Sequence, residues 1–405
     1  MKSRLLLLFI FASALTWAEP EPTWYKGNTH THSLWSDGND FPEMIVDWYR
    51  ARGYNFLVLS DHNTLSRGDR WMDISRIRKK QALDKYRARF GDRAAFRDDV
   101  DGKRQVRLTT YPEMQEMFDL PGRFLLVEGE EITARGIDPE YPLKVKHVHI
   151  NAMNLETLVK PIKGKPIREV MRSTLQALRK QEAETGHPIL DHINHPNFYY
   201  SISVDDLAQV VEEQFFEVYN GHPGVRQLGD TNHPPMNEMW DLANAIRIFT
   251  LDAAPLYGIA SDDSHYYHGG NISPGRGWVM VKADALDSDK LVMAMRRGDF
   301  YASTGVYLRK IEYDPKTRRL QILIAPDADQ TFTTRIIGLD RETMAGKERA
   351  RFDTLVIDYT LGPDDRCIRA EITSSRLHPN PSFKDQVEEA WTQPVGWERS
   401  EAGAE

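Results

Sequence analysis

Cysteine is almost absent from this chain: of 405 residues, only Cys367 carries a thiol. No intrachain disulfide can form, so stability must come from the core and from any bound metal. Long apolar runs are also scarce, and beyond residue 15 none is long enough to span a bilayer. Positive charge is not in surplus. Sixty acids stand against 52 lysines and arginines, and the net charge of −8 argues against general nucleic-acid binding. Repeats with a period of roughly 20–50 residues and low-complexity tracts are missing too.

What is present reads as an ordinary folded protein, with 40% apolar and 28% charged residues. The length suits one β/α barrel plus a smaller domain. At the start, Lys2 and Arg4 precede an apolar run from Leu5 to Leu15, and Ala18 precedes Glu19-Pro20. That order predicts a signal peptide over residues 1–18, and a run this short suits cleavage better than a spanning anchor. No cysteine lies near the cleavage site to carry a lipid. The expectation is an exported protein, periplasmic or secreted, with no stable membrane anchor after cleavage.

Residues 28–38, Asn-Thr-His-Thr-His-Ser-Leu-Trp-Ser-Asp-Gly, organise the rest. His30 and His32 are two apart, so an extended backbone points both rings to one side, where they can share a divalent metal. Asp37 follows in a turn and offers a hard oxygen. Further on, short apolar strands alternate with helical periods. The strand 55–60 ends in Asp61-His62-Asn63, the strand 124–127 leads into Glu128-Gly-Glu-Glu131, and 147–153 carries His147 and His149. A helix with Ile167, Val170, Met171, Leu175 and Leu178 on one face follows. Strands at 188–190, 215–219 and 257–260 then lead into Asp191-His192-Ile-Asn-His195, Asn220-Gly-His222 and Ser261-Asp-Asp263-Ser-His265. Helices are predicted over 234–249 and 288–297, with a strand over 277–281 between them. Such alternation predicts parallel strands with right-handed crossovers and polar ligands at their C-terminal ends.

Two regions differ in texture. Residues 67–122 read as a charged, mostly helical insertion, either a solvated face or a lid whose basic residues meet an anionic substrate. From about 305 the pattern predicts a small antiparallel β domain with strands near 307–313, 320–325, 332–338, 355–359 and 367–372, and an edge strand at 390–394. The expected domains are therefore 1–18, a barrel over 19–304 and a β domain with tail over 305–405.

The candidate ligands are His30, His32, Asp37, His62, Glu131, His149, His195, Asp263 and His265. Burying so many imidazoles and carboxylates together without a cation would leave unpaired polar groups costing several kcal/mol, on the order of 2–7 each. Taken in order, His-x-His, Ser-Asp-Gly, Ser-Asp-His, Gly-Glu-Glu-Ile-Thr, Val-His-Ile-Asn, Asn-His-Pro-Asn and Ser-Asp-Asp-Ser-His resemble the PHP (polymerase and histidinol phosphatase) family over residues 24–300. The segment 296–305, Arg-Arg-Gly-Asp-Phe-Tyr-Ala-Ser-Thr-Gly, is similar to the branch that includes carbamate-ester hydrolases and carries a C-terminal β domain.

The resemblance implies an α/β protein with a distorted, TIM-like (β/α)7 barrel and two or three divalent ions. It places His30, His32, Glu131 and Asp263 on the first ion. Glu131 bridges to a second ion completed by His149 and His195, and Asp37, His62 and His265 hold a third. Its Gly-x-Glu and His-x-Asn spacings favour Glu131 over Glu130 and His149 over His147, and His192, His222 and His268 match no ligand position. Zinc, manganese and iron all suit this donor set. A metal-bridging hydroxide is the expected nucleophile. Asp61, His62, His265 and Arg276 are expected to take part in the chemistry, Asp61 by orienting a ligand and Arg276, like Lys146, by meeting an oxyanion or phosphate. The leading expectation is a phosphoesterase acting on an anionic small-molecule or oligomeric ester. A carbamate, carboxylic-ester or amide hydrolase on the same site is the alternative, and a non-catalytic binder of a surface polymer is the third.

Overall fold

The computed structural model describes residues 22–77, 80–138 and 145–398. The expected signal segment lies outside the described residues. In chain order come β1 (Thr23–Asn28), α1 (Pro42–Arg50) and β2 (Phe56–Leu59). The insertion follows, with β3 (Arg70–Asp73), α2 (Lys80–Phe90), β4 (Phe96–Asp98), β5 (Arg104–Leu108) and α3 (Tyr111–Phe118). Next are β6 (Leu125–Ile137), β7 (Val145–Met153), β8 (Lys163–Pro166), α4 (Ile167–Thr185), β9 (Leu190–Ile193), α5 (Val204–Gln209), β10 (Phe215–Asn220), α6 (Met236–Phe249) and β11 (Tyr257–Ser261). The chain then runs through β12 (Trp278–Ala283), α7 (Ser288–Arg296), β13 (Phe300–Ser303), β14 (Leu308–Asp314), β15 (Arg319–Ile324), β16 (Phe332–Asp340), β17 (Ala345–Phe352), β18 (Val356–Thr360), β19 (Ile368–Leu377) and β20 (Val387–Thr392).

The candidate ligands lie on or just beyond six strands of a seven-strand row with the spatial order β11-β10-β9-β7-β6-β2-β1, β10 supplying none. The β1–β2, β2–β6, β9–β10 and β10–β11 ladders are parallel, as the alternation predicts. β7 departs from the prediction and runs antiparallel to both β6 and β9. Its link from Ile137 is too short for the crossover that a parallel neighbour needs. The two ends of this row meet beyond the strands: Asp263 N–H donates to the His30 carbonyl and His32 N–H to the Ser264 carbonyl, each at 3.0 Å. Apolar side chains such as Val58, Val127 and Ile259 pack on one another within the row. α4 and α6 cover it from outside with Met171, Leu175, Leu178, Met239 and Trp240.

The insertion is not mostly helical. β3, β4 and β5 form a three-stranded antiparallel sheet between its helices. β5, Arg-Gln-Val-Arg-Leu, alternates in burial, and its Val106 and Leu108 enter a small core with Phe41 and Tyr86. Charge on the exposed face masks that period of two. The C-terminal strands also rearrange the expectation. β14, β15 and β18 make a separate sheet, whereas β12-β13-β20-β19-β16-β17 continue the main sheet from β1 through antiparallel ladders. The segment 390–394, predicted as an edge, falls in and just beyond β20, which lies between β13 and β19. The row from β11 to β1 and strands β12, β13, β20, β19, β16 and β17 are thus one hydrogen-bonded sheet. No helix among the described residues is long and apolar enough to cross a membrane.

Candidate metal centre

Backbone stitching sets the first two imidazoles. With His30 O and His32 N bonded to the segment after β11, the rings of His30 and His32 sit 5.1 Å apart, fully buried. The chain then turns back over His32. A Cβ on Gly38 would lie 2.4 Å from the His32 carbonyl oxygen, so glycine is required for the turn that presents Asp37. The Asp61 carboxylate fixes that turn by accepting from Ser33 N–H (2.8 Å), Ser33 Oγ (2.7 Å) and Ser36 Oγ (2.5 Å). Gly129 serves in the same way, since a Cβ there would stand 2.4 Å from a Val58 methyl and 2.7 Å from the Ala152 carbonyl. That close approach lets Glu131 enter the centre.

Glu131 is the hub. Its carboxylate oxygens lie 2.6 Å from His62 Nδ1, 2.8 Å from His149 Nδ1, 3.4 Å from His32 Nε2 and 3.5 Å from His30 Nε2 and His195 Nε2. Asp263 Oδ1 is the second focus, 3.2 Å from His32 Nε2, 3.4 Å from His30 Nε2 and 3.5 Å from His265 Nδ1. Asp37 is the third, with His265 Nε2 at 3.3 Å and His62 Nε2 at 3.6 Å. Three groups have donor atoms converging closely enough to hold an ion: His30, His32 and Glu131; His62, Glu131 and His149; and His32, Asp37, His62 and His265. All nine predicted ligand residues therefore meet in one region. His195 and Asp263 adopt positive φ, 29° and 48°, a conformation that costs non-glycine residues about 1–3 kcal/mol and gathers at functional sites.

The donor set fits a divalent cation. Buried His30 Nε2, His32 Nε2, His149 Nε2 and Glu131 Oε2 have no hydrogen-bond partner, and each orphan of this kind costs about 1–3 kcal/mol. The charges reach the same conclusion. Burial opposes ionisation of Glu131 and Asp263, yet the surrounding imidazoles hold both carboxylates well below their ordinary range. Burial would also keep His30 and His62 neutral, but neighbouring carboxylates raise His30 and push His62 up to about 11. His32 goes the other way, to about 3, through burial and the nearby rings of His265 and His62. A cluster without metal thus holds its acids ionised by loading protons onto some of the imidazoles that would bind the ion.

Several partners were not singled out from the sequence. Glu217 Oε1 accepts from His30 Nδ1 at 2.7 Å, which leaves Nε2 to face the centre. Its Oε2 accepts from His195 N–H and Asn220 Nδ2, both at 2.8 Å. Burial opposes its ionisation, but the His30 charge and hydrogen bond bring it down to about 2. An acid inside the apolar run Phe-Phe-Glu-Val-Tyr was the available signal. Asn194 Nδ2 donates to Glu131 Oε1 at 2.9 Å. His222, noted in the sequence as matching no ligand position, lines the cavity.

Three expectations require correction. His149 comes from within β7, opposite Thr133, and not from a strand's C-terminal end. Arg276 does not face the centre: its guanidinium donates to the carbonyls of Gly221 (2.7 Å) and Asn271, while N–H groups of Gly275, Arg276 and Gly277 bind Asp262. Lys146 donates to the Tyr200 carbonyl at 3.0 Å and sits 3.6 Å from Asp138. Asp61 needs no such correction: it holds the turn that presents Asp37 and reaches His32 through Ser36, whose Oγ is 3.5 Å from Nδ1. Glu130 points away from Glu131, accepts from Val159 N–H at 2.9 Å and is raised by burial to about 8. His147 stacks on Tyr199, and His268 pairs with Asp40. His192 is buried near His30, and burial lowers it to about 4.

No family model and no curated protein match the chain. Among solved structures it is similar to a two-domain protein containing a predicted PHP-like metal-dependent phosphoesterase from Bacteroides vulgatus. The two are 15% identical, with 94% of this chain and 100% of that one covered and a TM-score of 0.41. It is also similar to an amidohydrolase from Chromobacterium violaceum, at 14% identity, 60% and 88% coverage and a TM-score of 0.31. PsfC from Pseudomonas syringae gives 14% identity, 67% and 87% coverage and a TM-score of 0.32. Likeness this distant assigns no activity; what the site can do follows from its own atoms.

Proposed function

We propose that the chain is an exported metal-dependent hydrolase, a phosphoesterase built on a distorted seven-stranded PHP-type barrel. The observation that carries this reading is Glu131, within 3.5 Å of five imidazoles and buried with orphaned donor atoms around it. His30, His32, Glu131 and Asp263 would hold one ion, Glu131, His149 and His195 a second, and Asp37, His62 and His265 a third. When bound, such ions supply an activated water and polarise the group under attack.

The chain's own residues do the rest. Glu217 keeps a proton on His30 Nδ1, and Asn194 steadies Glu131. Phe198, Tyr266 and Ile272 give a cavity of about 250 Å³ an apolar wall beside the ligands. A second cavity of about 430 Å³, between the Ser33–Asn39 loop and the insertion, shares Asp37 with the first. Arg70, Arg76 and Lys103 line it, matched in number by Asp37, Asp73 and Asp99, so its charge alone does not choose between an anionic phosphoester and a neutral carbamate, carboxylic ester or amide. The 296–305 segment falls in α7, β13 and the turns beside them and lines neither cavity.

The test is turnover of phosphomonoesters and phosphodiesters by manganese- or zinc-loaded protein, beside a naphthyl carbamate and ester panel. Phosphoester turnover that disappears with chelator is expected. Turnover of only the carbamates or esters, or of nothing by a metal-loaded sample, overturns the proposal.

A further inference from the structure

His222 stands just beyond β10, outside the candidate ligand set, and lines the same cavity as His195, Asp263 and His265. Its ring is fixed from behind. Nδ1 accepts the Gly224 N–H at 2.9 Å, so Nδ1 carries no proton. Glycine is needed there, because a Cβ on residue 224 would lie 2.8 Å from both Nδ1 and Cε1 of the ring. The backbone is fixed as well. His222 N–H donates to Asn220 Oδ1 at 2.8 Å, while Asn220 Nδ2 donates to Glu217 Oε2 and, at 3.1 Å, to Asp263 Oδ2. Phe198 and His265 pack edge-on to the ring, both 5.8 Å between centroids.

With Nδ1 committed as an acceptor, a neutral ring has its proton on Nε2, the nitrogen on the other edge, which has no protein partner among the described residues. We infer that His222 is a neutral hydrogen-bond donor, presenting Nε2–H to an oxygen of the ester group held at the metal centre. Neutral imidazole is too weak an acid to give its proton away. The ring therefore stabilises charge that develops on the oxygen and does not protonate the leaving group. The inference takes the presence of an ester oxygen from the hydrolase reading, whereas the tautomer stands on geometry alone.

The experiment separates the two. Nitrogen NMR of metal-loaded, full-length protein, with His222 assigned by difference from H222Q, reports which ring nitrogen is protonated. Bare Nδ1, protonated Nε2 and an Nε2–H signal that moves on adding inorganic phosphate are expected. H222F should keep the wild-type metal stoichiometry, bind phosphate about tenfold more weakly and lose about 10²-fold in kcat, the loss seen when one oxyanion donor is removed. H222Q, which keeps an N–H, should recover part of both. The H222F loss should be the same for nitrophenyl and phenyl phosphates. A proton on Nδ1, fewer bound ions in H222F, unchanged phosphate binding, or a loss that grows with leaving-group basicity would each overturn the inference. Phosphate binding and the tautomer remain readable even if wild-type protein turns over no phosphoester, the outcome that sinks only the hydrolase reading.

Discussion

Replacing Glu217 with glutamine tests how the centre is held, because the change keeps shape and removes only charge and one acceptor. Glu217 Oε1 takes His30 Nδ1 at 2.7 Å and Ser261 Oγ at 2.5 Å; Oε2 takes His195 N–H and Asn220 Nδ2, both at 2.8 Å. Both oxygens are saturated, so the new NH2 group must face a pair of donors whichever way it turns. In place of Oε1, it forces the His30 proton onto Nε2, the nitrogen meant for the ion. In place of Oε2, it opposes an N–H of His195 and one of Asn220. Either arrangement forfeits at least one charge-assisted bond, worth about 1.5–3 kcal/mol. Loss of an outer partner to a ligating histidine typically costs about 10–100-fold in metal affinity, or roughly 1.4–2.8 kcal/mol. Chelator-competition titration of metal-free protein measures this directly, and circular dichroism checks that the fold persists. If Glu217→Gln binds metal as tightly as wild type with the same stoichiometry, His30 is not held as described.

Metal affinity should rise with pH. Without metal, His30 and His265 are raised and His62 reaches about 11. Binding must expel those protons, so affinity falls as pH drops below these values, by up to about tenfold per pH unit for each proton displaced; calorimetry in buffers of different ionisation enthalpy counts the protons. Chelation should lower the melting temperature, since an ion at about 100-fold its Kd contributes about 2.7 kcal/mol, and scanning calorimetry with and without chelator reads the shift. Arg276→Lys should reduce stability by about 1–3 kcal/mol through its lost carbonyl contacts, while turnover per folded molecule stays unchanged in a denaturant-titration and activity pair. Asp241→Asn should cost about 1.5–3 kcal/mol in urea unfolding, because buried Arg369 donates to both Asp241 oxygens at 2.8 Å and would keep only Glu371, at 3.3 Å, as a charged partner.

The sequence was most informative where spacing alone defines geometry. His30 and His32 had to share a side, and Ser-Asp-Gly had to turn because Gly38 lies against the His32 carbonyl. β14, β15, β16, β18 and β19 fall within a few residues of the alternating runs that predicted them. β17 was missed because Lys347-Glu-Arg-Ala-Arg351 puts charge on most positions and none of its residues is fully buried; it is an edge strand paired to β16. Strand direction was not legible either. Nothing local in Val145–Met153 says that β7 runs against both neighbours; only the short link to β6 does. Arg276 illustrates a third limit. A Pro-Gly-Arg-Gly turn near a histidine motif suggests anion binding, yet Asp262 takes the turn's N–H groups and nearby carbonyls take most of the guanidinium. Glu217 is held by His30, His195 and Ser261, all distant in sequence, so its partners emerge only after folding.

The place of β20 between β13 and β19 has a consequence for biogenesis. During synthesis from the N-terminus, every other strand of this sheet emerges before the one that joins its two halves. β13 and β19 must wait with facing edges unpaired until Val387–Thr392 leaves the ribosome. Truncation shortly before Val387 should therefore yield a chain that stalls with both edges open and pairs with its neighbours.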